Sequence, residues 1–244
     1  APFLSIIIPA FNEKDRIITC LSKLASYLDG QAYSWEVIVV DDGSSDDTST
    51  VVNNWISSRS ELRVKTIPHS GKGWAVRHGM LDATGDYRFM CDADLAMPTE
   101  WLGIFLSRIH EGYDIVIGSR QIAGARRFNE PRMRHIMGRI FNSMVQLIAV
   151  PSFQDTQCGF KCFRREAAND LFRCQKTKGF AFDVEILYLA HKKSLTMCEI
   201  PIDWHHHRSS KVRPGIDSLL MLWDTLQVRW YDLRGRYDIA VGLG

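Results

Sequence analysis

The chain has 244 residues, 45% hydrophobic and 24% charged, with 17 Gly and 8 Pro, which excludes disordered, collagen-like and coiled-coil classes. Thirty basic against 28 acidic residues give a formal charge of +2, a balance that argues against a dedicated nucleic-acid binder. The halves differ: residues 1–119 hold 10 Lys/Arg and 16 Asp/Glu, and residues 120–244 hold 20 and 12. An acidic half can hold a cation, and a basic half an anion or an anionic surface.

In chain order, short runs rich in Ile, Val and aromatics predict strands over 3–8, 36–40, 62–67, 87–91 and 114–118. Helical patterns over 15–28, 46–57, 73–83 and 99–109 separate them. The alternation predicts an α/β fold: a mainly parallel sheet with helices on both faces and ligands beyond the C-terminal strand ends. The second half is less regular. An Arg-rich segment (119–135) leads to a helix over 134–149 and a loop over 151–158. A strand at 160–163, a helix at 184–191, a strand at 195–202 and a helix from 216 follow. One α/β domain with an added C-terminal part is the reading, with halves at 1–118 and 119–244.

The strand-end loops carry the chemistry. Pro9-Ala10-Phe11-Asn12-Glu13 follows the first strand; it either frames a flat, hydrogen-bonding ligand such as a base or caps the next helix through Asn12. After the second, Asp41-Asp42-Gly43-Ser44-Ser45-Asp46-Asp47 holds more carboxylates than one cap needs. Asp46 or Ser45 can cap, leaving Asp41 or Asp42 for a base N–H or a ribose hydroxyl. After the third, His69-Ser70-Gly71-Lys72-Gly73 lets the backbone approach a phosphate. Thr66 and Gly73 stand where a P-loop needs Gly and Ser/Thr, and no G-x-G-x-x-G follows the first strand, so both those readings fall. After the fourth, Asp92-Ala93-Asp94 presents two hard oxygen ligands suited to Mg²⁺ or Mn²⁺, or else forms a turn before a helix. Converging, the four loops describe a nucleoside diphosphate with a metal on its phosphates.

These residues resemble the inverting family 2 glycosyltransferases of GT-A fold, in which the D-x-D pair holds the metal on a sugar-nucleotide diphosphate. Gly118-Ser119-Arg120, Asp155-Thr156-Gln157-Cys158-Gly159-Phe160-Lys161, Phe180-Ala181-Phe182-Asp183-Val184-Glu185 and Ser210-Lys211-Val212 extend the resemblance to dolichyl-phosphate β-glucosyltransferases over about 1–235. The resemblance implies glucose transfer from UDP-glucose to dolichyl (polyprenyl) phosphate, as in N-glycosylation. That places the chain at the cytosolic face of the endoplasmic reticulum membrane in a eukaryote or at the cytoplasmic membrane in a prokaryote. The alternatives are mannosyl transfer from GDP-mannose, a hydroxyl acceptor, and a silent nucleotide-sugar-binding module. Ala96 stands where related mannosyl enzymes often carry a third metal ligand.

The expected site follows. Pro9, Ala10, Phe11, Asn12, Glu13, Asp41, Asp42, Gly71, Lys72, Asp92 and Ala93 bind the nucleotide sugar, and Asp92 and Asp94 hold the metal. Arg120, Arg126, Arg127, Arg132, Arg134 and Arg139 form the acceptor-phosphate set, opposed only by Glu130; each could instead be solvated or contact lipid headgroups. Asp94, Arg120, Asp155, Lys161, Asp183 and Lys211 complete the catalytic set. Asp183 is expected to orient the glucose hydroxyls or the Arg cluster, since a lipid phosphate needs little help from a base.

No apolar run is long enough to span a bilayer. Ile136, Ile140, Phe141, Met144 and Ile148 share one helical face, and Leu220, Trp223, Leu226 and Trp230 lie beside Arg229 on another. One of these helices is expected at the membrane, the other reading being that both pack on the sheet. The chain opens directly on an apolar strand, which leaves room for a preceding segment. The six Cys, at 20, 91, 158, 162, 174 and 198, form no C-x-x-C pair and read as reduced thiols. His205-His206-His207 reads as a strand end rather than a metal site.

Overall fold

A computed structural model describes residues 1–57, 59–150, 153–206 and 216–238, without the side chains at 134 and 216–218. Its centre is a seven-stranded sheet. The first four strands, β1 (Leu4–Ala10), β2 (Trp35–Asp41), β3 (Leu62–Thr66) and β4 (Tyr87–Met90), are parallel and follow the order β3-β2-β1-β4. The helices α1 (Ile17–Asp29), α2 (Thr48–Ile56) and α3 (Lys72–Asp82) connect them, and α4 (Trp101–His110) leads to β5 (Ile115–Ser119).

Alternation along each strand explains the two cores. Ile7, Ile38 and Val40 pack into one cluster, while Ile6, Ile8, Val37 and Val39 pack into another on the opposite face. A strand buried on both faces needs no polar residues, hence the unbroken apolar runs.

Beyond β4 the sheet continues through β7 (Lys161–Arg164), then β5, then β8 (Met197–Pro201). β7 is antiparallel to both β4 and β5, the one departure from the parallel expectation within this sheet. Four residues carry too little pattern to fix a direction. A small parallel ribbon joins β6 (Arg126–Phe128) to β9 (Asp203–His205); neither strand was expected, and nor was α6 (Arg165–Cys174). The helix α7 (Phe182–Lys192) is buried from Phe182 to Ala190.

The helices α5 (Arg132–Ile148) and α8 (Ile216–Leu233) pack against one another. On α5 the expected apolar face divides. Phe141 and Ile148 pack on the core, whereas Ile136, Ile140 and Met144 face solvent with Met133, Met137 and Leu147. On α8, Leu219, Leu220, Trp223, Leu226, Trp230 and Leu233 are exposed, Trp223 at 61%. Both helices thus leave apolar faces bare, where one was expected to. Among the described residues, no helix is long and apolar enough to cross a membrane.

Candidate active site

Each loop at the sheet's C-terminal edge is held by hydrogen bonds from its neighbours. Asn12 does not cap α1, whose first turn has no side-chain cap. It adopts a positive φ of 52°, and its Oδ1 accepts from the Ser45 amide at 2.8 Å, joining the loops after β1 and β2. Glu13 pairs with Arg16 across one turn and its amide donates to Thr48 Oγ1 at 2.8 Å. The cap position of α2 is Asp47, not Asp46 or Ser45, and its side chain makes no cap bond; Asp46 accepts from the Thr48 amide at 2.9 Å.

Asp41 and Asp42, which the sequence offers to a base or ribose, are both buried and both hold loop backbone. Asp41 accepts from the Ser44 amide and hydroxyl. Asp42 accepts from the amides of Ser70 at 2.8 Å and Gly71 at 2.9 Å, so it clamps the loop before α3. Gly71 has φ of 109°, and a Cβ there would lie 2.7 Å from the Lys178 carbonyl oxygen; only glycine fits. His69 stacks on Phe11 with ring centroids 4.2 Å apart, closing one side of the site with two aromatic rings. Pro9 and Ala10, at the end of β1, pair with Val40 and Asp41 and so support this edge from beneath.

The carboxylate pair sits where β4 ends. Leu95 takes a positive φ of 43° and donates its amide to the Asp92 carbonyl at 3.0 Å, a tight turn that leaves Asp92 and Asp94 half-buried and Ala93 buried. Asp92 Oδ1 is 2.6 Å from Lys72 Nζ. Burial works to raise the Asp92 pKa, but Lys72, Lys161 and Arg120 outweigh it and hold the carboxyl below its ordinary range. Behind Asp92 lies Gly159, where a Cβ would fall 2.0 Å from Asp92 Oδ2. The donor set, two hard carboxylates opening to solvent, fits Mg²⁺ or Mn²⁺ completed by water and diphosphate oxygens. Among the described residues no group of three His, Cys, Asp or Glu side chains is placed to hold a metal.

Beside this pair is a second charged cluster. Arg120, just after β5, holds Asp155 with a two-pronged contact: Nε to Oδ2 at 2.7 Å and Nη2 to Oδ1 at 2.8 Å. Its guanidinium lies 5.3 Å from the Trp204 ring on β9, a support that a lone Trp in an unrecognised three-residue strand gave no means to foresee. Asp155 is in turn fixed by Glu199, which accepts its amide hydrogen at 2.9 Å. Asn142 of α5 accepts from both the amide and the hydroxyl of Thr156, tying this loop to the exposed helix. Arg120 thus offers its outer face rather than a free fork.

Lys161, 1% exposed, donates to Asp183 at 2.5 Å and to the Cys158 carbonyl at 2.6 Å. The Asp183 partner is therefore Lys161 and not the Arg cluster. Burial raises the Asp183 pKa against the pull of Lys161 and Lys72. The remaining arginines disperse. Arg127 donates to the Arg120 carbonyl at 2.7 Å and to Glu130 at 2.6 Å, close behind the site. Arg126 pairs with Asp203 at the surface, and Arg132 and Arg139 are exposed on α5. The side chain of Arg134, and Lys211 with His207, lie outside the described residues. His205 lies at a strand end, but of the separate strand β9 rather than of the 195–202 run, and stacks on Phe128 at 4.5 Å. All six cysteines are free, and burial pushes the Cys158 thiol up to about 12, so it is inert at neutral pH.

A mainly parallel sheet with a carboxylate pair at its C-terminal edge and a guarded arginine beside it defines a GT-A glycosyltransferase. The profile described as Glycosyl transferase family 2 matches residues 5–172. "Dolichyl-phosphate beta-glucosyltransferase" of Saccharomyces cerevisiae is 35% identical over 255 residues, covering 96% of this chain and 76% of that protein. The Homo sapiens protein of the same name is 33% identical, covering 97% and 78%. The chain therefore belongs to glycosyl transferase family 2, within the dolichyl-phosphate beta-glucosyltransferases. Among solved structures, glucosyl-3-phosphoglycerate synthase from Mycobacterium tuberculosis in complex with Mn²⁺ and UDP-glucose superposes with a TM-score of 0.65 at 18% identity, covering 98% of this chain and 80% of that one. Mannosyl-3-phosphoglycerate synthase from Rubrobacter xylanophilus gives 0.69 at 18%, covering 96% and 75%. At such identities the likeness establishes the shared fold.

Proposed function

We propose that the protein transfers glucose from UDP-glucose to dolichyl (polyprenyl) phosphate with inversion, giving a β-linked glucosyl phospholipid. The observation that carries this reading is the meeting, at one sheet edge, of the Asp92–Asp94 pair and the Arg120–Asp155 cluster. The names of the relatives supply the sugar and the lipid class. Residues 1–118 form the donor half and residues 119–244 the acceptor and membrane-facing half of one catalytic domain.

Each group has a part in this reading. Phe11 and His69 flank the base, and Asn12, Glu13, Asp41 and Asp42 shape the pocket through the loops they hold together. Asp92 and Asp94 bind Mg²⁺ or Mn²⁺, which when bound neutralises charge on the departing diphosphate. A phosphate monoester is mostly dianionic at pH 7, so the acceptor needs orientation and charge compensation rather than a base. Arg120 supplies the compensation, aligned by Asp155, with Arg127 behind it. Lys161 and Asp183, paired under the site, fix the floor on which the glucose rests.

The acceptor's tail lies in a bilayer. The bare faces of α5 and α8 form a surface for it, and Asn142 connects that surface to the Asp155 loop. Trp and Leu beside basic residues suit the headgroup boundary. In a eukaryote the membrane is the cytosolic face of the endoplasmic reticulum, in a prokaryote the cytoplasmic membrane.

The test is transfer of labelled sugar from UDP-glucose and from GDP-mannose to a short polyprenyl phosphate, with Mn²⁺ and with a chelator. Metal-dependent glucosyl-lipid formation that falls at least about a hundredfold in Asp94→Asn is expected. Product from GDP-mannose alone would change the donor, and UDP binding without any lipid product would remove the acceptor.

A further inference from the structure

Lys72 stands at the first position of α3 with its ammonium on Asp92, 2.6 Å from Oδ1. We propose that Lys72 is a built-in counter-cation: it occupies Asp92 while the donor is absent and yields it to the metal as the nucleotide diphosphate arrives and takes the ammonium. This rests on the donor reading above and adds to it a coupling between metal and nucleotide.

Three features converge on this role. The base of the side chain is fixed, because Asp42 clamps the Ser70 and Gly71 amides and Gly71 packs on the Lys178 carbonyl. The Lys72 side chain keeps 23% of its surface exposed, so its ammonium can be reached by a ligand arriving from solvent. Asp92 Oδ2 rests against Gly159, in the space that a Cβ there would fill. The ammonium also feels a field of carboxylates. It faces Asp92, Asp183 and Asp94, and an ammonium there offsets repulsion within the carboxylate group.

A divalent ion taking Asp92 Oδ1 meets a like charge already on that oxygen. The ion alone binds poorly for that reason. A diphosphate brings negative charge for both cations, so the ammonium can transfer to phosphate oxygens while the metal takes the carboxylates. Coupling of this kind is reciprocal: each ligand strengthens the other by the same factor.

The discriminating experiment is calorimetric titration of the folded protein with Mn²⁺ alone, and with UDP at saturating Mn²⁺, for wild type, Lys72→Met and Lys72→Arg. Lys72→Met is expected to bind Mn²⁺ alone about tenfold more tightly and UDP about tenfold more weakly, changes of opposite sign, each equal to about 1.4 kcal/mol. Lys72→Arg, which keeps the charge, is expected to stay weak for Mn²⁺ alone. Unchanged or weaker Mn²⁺ binding by Lys72→Met would reduce Lys72 to a phosphate ligand and overturn the proposal while leaving the donor reading intact. Failure of the wild type to bind UDP in Mn²⁺ would overturn both. Should Lys72→Met not fold, Lys72→Gln carries the same two expectations.

Discussion

The sheet edge and the α5–α8 pair dispose of their side chains in opposite ways. At the sheet edge, charged groups are brought inward and each is answered: Asp42 by two amides, Asp155 by Arg120 and Lys161 by Asp183. On α5 and α8, large apolar groups are turned outward, Leu147 at 89% exposed and Leu233 at 83%. Burying charge costs several kcal/mol unless it is paired, and exposing a row of apolar residues forgoes the gain of burying them. One region is therefore organised in advance for charged ligands, and the other is incomplete until something apolar covers it. The Asn142–Thr156 contacts join the two, so the surface proposed for the bilayer is fastened to the loop carrying Asp155.

The strongest way to break the first half of that contrast is to remove Asp155. Asp155→Ala leaves Arg120 without its carboxylate and is expected to lower stability by about 3 kcal/mol, read from urea unfolding. A pH series sharpens this. Burial works to raise the Asp155 pKa, but Arg120 outweighs it and holds the group below its unfolded value. A depressed folded pKa contributes stability that is present above the unfolded carboxylate range, near pH 4, and is lost as pH falls through the folded pKa. Wild type should lose stability between pH 5 and the folded pKa faster than Asp155→Asn; parallel curves would remove the pair from the balance.

A smaller effect is expected at Gly159, where no charge changes. Gly159→Ala drives a methyl into Asp92 and should cost about 1–3 kcal/mol through overpacking, with Mn²⁺-dependent UDP affinity falling alongside. A loss of stability with UDP affinity intact would mean that the carboxylate has room to shift, and that the site is less rigidly preset than the geometry indicates.

The first region was more legible in the sequence than the second, for a physical reason. Pro9–Glu13, Asp41–Ser44 and Asp92–Asp94 each follow an apolar strand directly, and a parallel sheet sends all such ends to one edge, so sequence position translates into space. Partnership does not translate this way. That Asp42 serves Gly71, that Gly159 backs Asp92, and that Trp204 supports Arg120 depends on segments 29, 67 and 84 residues apart meeting. β7 escaped as an antiparallel strand because four residues between a loop and a helix carry no directional signal. For α5 the helical period located the apolar face but not its division, since Phe141 and Ile140 are alike to a pattern and differ only in what lies opposite them.

The gentlest test addresses the exposed helices themselves. Ile140→Ser with Trp223→Ser removes one large apolar group from each helix at positions 58% and 61% exposed, so neither change opens a cavity. Stability should stay within about 0.5 kcal/mol of wild type, as for substitutions that touch no buried partner. Partition onto vesicles containing anionic lipid should fall about tenfold, because the lost apolar area counts only once the bilayer covers it. UDP binding should not move, because neither exposed side chain is among the groups that hold the strand-end loops. If stability falls instead while vesicle partition holds, these faces serve the protein's own packing, and the division between a preset edge and an unfinished surface fails at its second term.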